Sequence, residues 1–517
     1  MAGATPRLRE KLFLRQLVSP VSRKNCETLR GFAVSSLLHQ HKPDHDPTKN
    51  HFFAMPNWYR PTFRRAYLAV VFLGSLSWSV IHAEPPARTD TSAATRGYRA
   101  LTEKAFLPAD FDQEVFDATW RTWPEPLKSR AARSSLAERR QLAFQRYGLT
   151  PRPNDSSGKP LQYVVDTKGN WSLNCFSCHG GKVAGQVIPG LPNTHYAMQT
   201  LKEEISASKI LLGKRLNRRD LGAALFPMGT THGTTNAVMF GVVLAASRDT
   251  DLNFQQFKRP PKLVNHDMDA PPWWHFRKRP RIYIDGMAER GHRALMQFIL
   301  VRENTPEHFQ QWESDFKDIY AYLMSLEAPK YPFPVNRPLA RQGELAFNQH
   351  CADCHGNYGA QASYPNTMVP IAEIGTDPIR FKALSESHRS WYQASWFSHH
   401  GKKQVVIKPA GYVAPPLDGV WASAPYFHNG AVPTLWGVLN PDQRPTAWKR
   451  TENGYDQKEV GLELQKYSQP PGNSKDRWEQ RSFFDTRKTG KSAAGHRFPE
   501  ILTPNERRAV LEYLKTL

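Results

Sequence analysis

Cysteine is nearly absent from this chain. Five occur in 517 residues: Cys26, Cys175, Cys178, Cys351 and Cys354. So few exclude a small scaffold stapled by disulfides. Long apolar runs are as scarce. Residues 66–81, AYLAVVFLGSLSWSVI, form the one stretch of that kind, which excludes a bundle of membrane spans. An acidic excess is also missing: 69 Lys/Arg stand against 47 Asp/Glu, a net charge of +22. What the chain has in quantity is turn-formers, with 41 prolines and 32 glycines, and large aromatics, with 14 tryptophans. Those numbers predict a loop-rich protein of two or three domains whose apolar interior leans on flat, wide side chains.

Four of the five cysteines fall into two copies of one pattern, Cys175-Phe176-Ser177-Cys178-His179 and Cys351-Ala352-Asp353-Cys354-His355. C-x-x-C-H reads as covalent attachment of haem c. Two thiols three positions apart can add to the vinyl groups on one porphyrin edge, and the adjacent histidine can bind the iron from below. A zinc ribbon would need its two halves about 15–20 residues apart, and these are far more distant. A thioredoxin-like dithiol would need a βαβ setting that neither copy has. The expected cofactors are two covalently bound haems c, held through Cys175, Cys178, Cys351 and Cys354, with His179 and His355 as proximal iron ligands.

The N-terminal region reads as a targeting segment. Arg60, Arg64 and Arg65 precede the apolar run, and His82-Ala83 is followed by Glu84-Pro85-Pro86. Basic n-region, short h-region and a small residue before the cut describe a secretory signal peptide. Met55 stands where such a peptide would start. The expected plan is an untranslated or disordered extension at 1–54, a signal peptide at 55–83 cleaved near Ala83, an N-terminal haem domain at 84–330 and a C-terminal one at 331–517. The alternative is an uncleaved anchor. Export to a bacterial periplasm agrees with haem c, which is attached outside the cytoplasm, and argues against nucleic acid as the basic protein's partner. Residues 1–83 carry 12 Lys/Arg and 4 Asp/Glu, leaving 57 against 43, a net +14, for the rest. That surplus suits docking to an acidic redox partner, or at most peripheral contact with anionic lipid.

Along the chain, 84–100 reads as a flexible lead-in. Helical spacing is expected at 109–123 and 135–147, a strand at 162–166 within a loop, and a helix from Met198 to about 213. Amphipathic helices follow at 288–303 and 309–326. The four prolines of 327–338 mark a boundary. Residues 340–347 lead into the second motif and resemble the first helix of a class I cytochrome c, where a glycine and an aromatic sit at a helix crossing. Thr503-Pro504 with Glu506 predicts a capped final helix. Tyr322-Leu323-Met324-Ser325-Leu326 and Tyr513-Leu514-Lys515-Thr516-Leu517 fall in matching places after the two motifs. Arg140-Gln141-Leu142-Ala143-Phe144 is also similar to Gly343-Glu344-Leu345-Ala346-Phe347. The expected fold is mainly α: two loop-rich class I cytochrome c-like domains arranged as a tandem duplication.

The second axial position of each iron decides between a carrier and an enzyme. For the first haem the candidates are His195, Met198 and His232. For the second they are His428 and His496, with His399 and His400 behind them. Glu203, Glu204 and Glu289 are candidate acid/base residues for peroxide cleavage, each also readable as an ordinary carboxylate.

Ala424-Pro425-Tyr426-Phe427-His428-Asn429-Gly430 with Val432 and Leu435 resembles a segment of the bacterial di-haem cytochrome c peroxidases and their relatives. Pro415-Pro416-Leu417-Asp418-Gly419-Val420-Trp421 and Ala494-Gly495-His496-Arg497-Phe498 are similar to the rubber-oxygenase-like branch of that group. The resemblance covers residues 335–517 and reaches the first half only through the haem motif and the domain plan. It implies His496 as the sixth ligand of the second haem, His428 as a pocket or propionate residue, and a tryptophan relay at Trp273 or Trp274. It departs from the peroxidases in having no methionine at 431–446. The expected function is electron transfer coupled to peroxide or dioxygen chemistry at one haem. The alternative is a non-catalytic carrier with both haems six-coordinate.

Overall fold

In the computed structural model the described residues are 91–256, 263–472 and 474–517. The extension, signal peptide and cleavage point expected before Ala83 lie outside them. From Pro85 to Leu517 the chain is one compact unit.

Two helix pairs frame it. Helix α1 (Ala93–Glu103) is capped by Ser92, whose side chain accepts from the Thr95 N–H. Leu101 and Thr102 are buried, and α1 packs across α6 (Glu313–Ser325). At that crossing a Cβ on Gly97 would sit 2.1 Å from the Asp318 carbonyl oxygen. Only a residue without a side chain lets the backbones approach so closely. Helix α7 (Arg337–His350) crosses α8 (Pro504–Leu514) in the same way, with a Cβ on Gly343 only 1.9 Å from the Ala509 oxygen. Phe347 meets Tyr513 there at 5.3 Å. The predicted capping box at the start of α8 is present between Thr503 and Glu506.

Of the stretch 84–100, the part from Ala93 is no flexible lead-in but the helix that packs before the first motif; residues 84–90 lie outside the described ones. The partner of 343–347 in this arrangement is Gly97–Leu101, not Arg140–Phe144. Those residues lie instead in α2 (Leu136–Tyr147), in a separate cluster with Phe116, Trp123 and Trp171. Expected helix 109–123 is broken into strand β1 (Phe111–Asp112) and two short helical turns. Expected helix 288–303 is broken too, because Gly291 and the turns around it leave only His292–Met296 and a 3-10 turn.

Small sheets fill the loops. β2 (Tyr163–Val165) and β3 (Asn170–Leu173) join β1 in the order β1-β3-β2. β4 (Gly180–Val183) and β5 (Gln186–Pro189) form a hairpin straight after the first motif. Near the C-terminus β6 (Ala447–Asp456) is flanked by β7 (Gly461–Tyr467) and β8 (Phe483–Asp485), all antiparallel. In the chain, α3 (Met198–Leu211), α4 (Arg218–Leu225) and α5 (Ala237–Ala246) come between α1 and α6. Among the described residues no helix is long and apolar enough to cross a membrane.

Candidate functional site

Both C-x-x-C-H copies form single helical turns, Phe176–His179 and Ala352–His355. A turn of helix places the two sulfurs on one side and brings the histidine round beneath them. None of the four cysteines is in a disulfide. Burial raises Cys175 to about 11 and Cys178 to about 12, so with nothing bound these thiols stay protonated.

Each histidine has a proline backbone beside it. His355 Nδ1 lies 2.8 Å from the Pro415 carbonyl oxygen. The backbone of Pro271 lies beside His179, whose Nδ1 has no hydrogen-bond partner. Each of these prolines belongs to a Pro-Pro pair, Pro271-Pro272 and Pro415-Pro416. An acceptor at Nδ1 fixes the tautomer whose Nε2 lone pair is free for a metal. Burial lowers His179 to about 3 and also depresses His355, which keeps both rings neutral and able to ligate.

Around the two motifs the second partner differs. The ring stacked on His179 is the indole of Trp273, with centroids 4.7 Å apart and planes 26° from parallel. The ring facing His355 is the imidazole of His496, at 6.2 Å. Two imidazoles on opposite faces of one metal, each bonded at about 2.0–2.1 Å, have centroids roughly 6–6.5 Å apart. His496 is buried, lowered to about 3 by burial and by nearby His355 and Arg444, and its Nδ1 has no hydrogen-bond partner. The pair thus fits an iron between them.

The loop carrying His496 is clamped. The His496 N–H donates to the Ile374 carbonyl at 2.6 Å. The Arg444 guanidinium donates to the carbonyls of Gly437, Ala493 and Gly495 at 2.9, 2.6 and 2.7 Å, and it lies over the Phe427 ring. Phe427 in turn touches the His496 ring at 6.0 Å.

The other candidates go elsewhere. His428 packs on Tyr412 at 4.6 Å, close to His266 and Arg380, and burial lowers it to about 3. His232 lies against Trp478 at 5.0 Å with Nε2 unpartnered. His195 follows Asn193, whose N–H donates to the Cys178 carbonyl at 2.8 Å, and it lines a small pocket of about 30 Å³ with Thr194, Arg450 and Tyr455. Met198 is buried in the cluster against which Cys178 packs. His399 faces His292 at 6.0 Å, and His400 is exposed 3.7 Å from Asp251. Glu203 is paired with Arg481, Glu204 with Arg146 and Tyr147, and Glu289 with Lys403. Trp274 donates to the Asp418 carbonyl at 2.7 Å. It packs in the cluster that holds Phe347 and touches Cys351, while Trp273 belongs to the cluster touching Cys175. This dipeptide therefore spans from one motif's surroundings to the other's.

Several residues escaped sequence reasoning. Arg380 and Arg389 share the one carboxylate of Asp285, all three side chains at most 1% exposed. Arg279 is buried with its Nε unpartnered, and the half-buried Arg450 donates to Thr194 Oγ1 at 2.7 Å with no ion pair among the described residues. Buried cationic surplus of this kind suits the carboxylates of porphyrin propionates. The proline pairs, being adjacent residues, could have been noticed in advance; the arginines are spread over about 170 residues of sequence.

Residues 411–449 match the family described as RoxA-like, cytochrome c-like. A cytochrome c-like domain implies covalently bound haem c, and the match agrees with the rubber-oxygenase-like resemblance. The matched span contains Pro415, Asp418, His428 and Arg444 and lies between the second motif and His496. The chain is also similar to two uncharacterized proteins of Sinorhizobium fredii. It is 30% identical to y4iM over 233 residues, 38% of this chain and 52% of that protein. It is 26% identical to y4iJ over 258 residues, 37% of this chain and 41% of that one. The chain thus spans about half the length of these relatives, or less.

Proposed function

We propose that the chain is an exported di-haem c-type cytochrome, built as a tandem pair of cytochrome-like halves, that couples electron transfer to peroxide or dioxygen chemistry at its first haem. The observation that carries this reading is the asymmetry of the two motifs. His355 has a second imidazole, His496, at the spacing of a bis-histidine pair, whereas His179 has an indole stacked on it. A haem c supplies reversible one-electron chemistry when both axial positions are filled, and activation of a small oxidant when one is open.

The chain's own residues divide those tasks. Cys351, Cys354, His355 and His496 hold the electron-transfer group, with Pro415 and Arg444 fixing the two imidazoles. Cys175, Cys178 and His179 hold the reactive one. Trp273 and Trp274 connect the two surroundings through packed aromatic surface and are the proposed relay. The electron donor is a redox protein or small reductant met at the basic surface.

A second reading, a carrier with both irons six-coordinate, is favoured by one observation. His195 sits on the segment hydrogen-bonded to Cys178 and could close the first site. Carbon monoxide titration of the reduced protein separates the two. One haem of two should bind it, and His496→Ala should make the second bind as well. Absence of binding in the wild type would establish the carrier, and an unaltered second haem in His496→Ala would remove that ligand assignment.

A further inference from the structure

Twelve large apolar side chains are exposed among the described residues, and six of them crowd into one short stretch. Ile210 and Leu211 close α3, at 63% and 59% exposed, and Leu216 follows at 36%. On α4 Leu221 is 53% exposed, Leu225 is 65% and Phe226 is 36%. Scattered exposed leucines need no explanation, but a cluster does.

Helix α4 is built inside out. Its inward face carries Asp220 and Ala223. Asp220 is buried and bonded to Lys209 Nζ at 2.6 Å, which ties α4 to the end of α3. Leu221 and Leu225, one turn apart, point the other way, with Arg218 on the same face. A charge is thus kept inside while leucines stand outside, the reverse of an ordinary surface helix.

The rim is basic. Arg215 and Arg218 are exposed and make no ion pair among the described residues. Asp220 is the one acidic residue from 209 to 227. Nearby carboxylates are already paired: Asp110 with Lys202 and Arg219, and Asp112 and Glu114 with Lys214. Unbranched-ring or indole anchors typical of protein hot spots are missing; the patch is aliphatic with one phenylalanine.

We propose that this surface, the end of α3 with α4, docks the protein peripherally on an anionic phospholipid bilayer. Leu211, Leu221, Leu225 and Phe226 enter the headgroup–acyl boundary, and Arg215 and Arg218 meet lipid phosphates. The net charge of +14 carried beyond residue 83 adds long-range attraction of the same sign. Shallow insertion plus a few basic contacts gives reversible binding, not a span. The proposal is independent of the haem count and of the reaction at either iron.

Sedimentation of the haem-loaded secreted protein with vesicles tests it. With one part phosphatidylglycerol to two of phosphatidylcholine, wild type should co-sediment, and with phosphatidylcholine alone it should stay in solution. Leu221→Ser with Leu225→Ser should weaken binding on the order of tenfold or more, leaving the absorption spectrum unchanged. Arg215→Gln with Arg218→Gln should erase the preference for anionic vesicles. Wild type that ignores anionic vesicles, or binds both kinds equally, overturns the proposal. So does a leucine double variant that binds like wild type.

Discussion

At the scale of single residues, the interior is governed by charges held without water. Asp285 is the clearest case. Its carboxylate faces both Arg380 and Arg389, with no exposed atom on any of the three beyond 1%. Removing one partner of a buried ion pair leaves the others uncompensated, which costs about 3–5 kcal/mol. Asp285→Ala is therefore expected to lower the unfolding free energy by about that amount, measured by urea titration. A loss below about 1 kcal/mol, the value for an exposed pair, would show that the arginines have another counter-charge. None of this was legible in the sequence, because Asp285 lies 95 and 104 positions before the two arginines and each looks like an ordinary surface charge. The haem motifs were legible because their chemistry is confined to five consecutive positions. His496 was legible only through resemblance, since nothing in its spacing from His355 predicts that two rings 141 positions apart would stand 6.2 Å from each other.

At the scale of elements, the two helix crossings decide how the motifs are presented. Each depends on a glycine at the contact, Gly97 against Asp318 and Gly343 against Ala509. Gly343→Ala would push a methyl group to 1.9 Å from a backbone oxygen, so α7 and α8 must separate. A destabilisation of about 1–3 kcal/mol follows from overpacking of this kind. Gly97→Ala should have a similar cost at the α1–α6 crossing. Calorimetry of both variants checks this, and an unchanged melting temperature in either would mean that its crossing yields freely. The second crossing could be read in the sequence because Gly343, Ala346 and Phe347 sit at helical spacing beside a recognisable motif. The first could not, because Ala93–Glu103 mixes arginines and threonines with few large apolar side chains, and its partner α6 lies more than two hundred residues away. The clamp on His496 has the same character: Arg444 works on backbone carbonyls, which leave no trace in residue type.

At the scale of the whole molecule, the likeness between the two ends of the chain is a likeness of plan: helix, C-x-x-C-H turn, proline pair behind the histidine, closing helix. The halves differ in what meets the histidine ring, an indole stacked flat on it in one and a second imidazole at the spacing of an axial pair in the other. That difference is what separates an electron store from a reactive centre in this account. It presupposes that both motifs carry their porphyrin. Intact mass spectrometry of the protein secreted by a host with c-type cytochrome maturation tests this most directly. The account predicts the polypeptide plus two haem increments, both surviving denaturation and both lost together only when Cys175, Cys178, Cys351 and Cys354 are all replaced. A mature protein carrying one increment, or none, would contradict it.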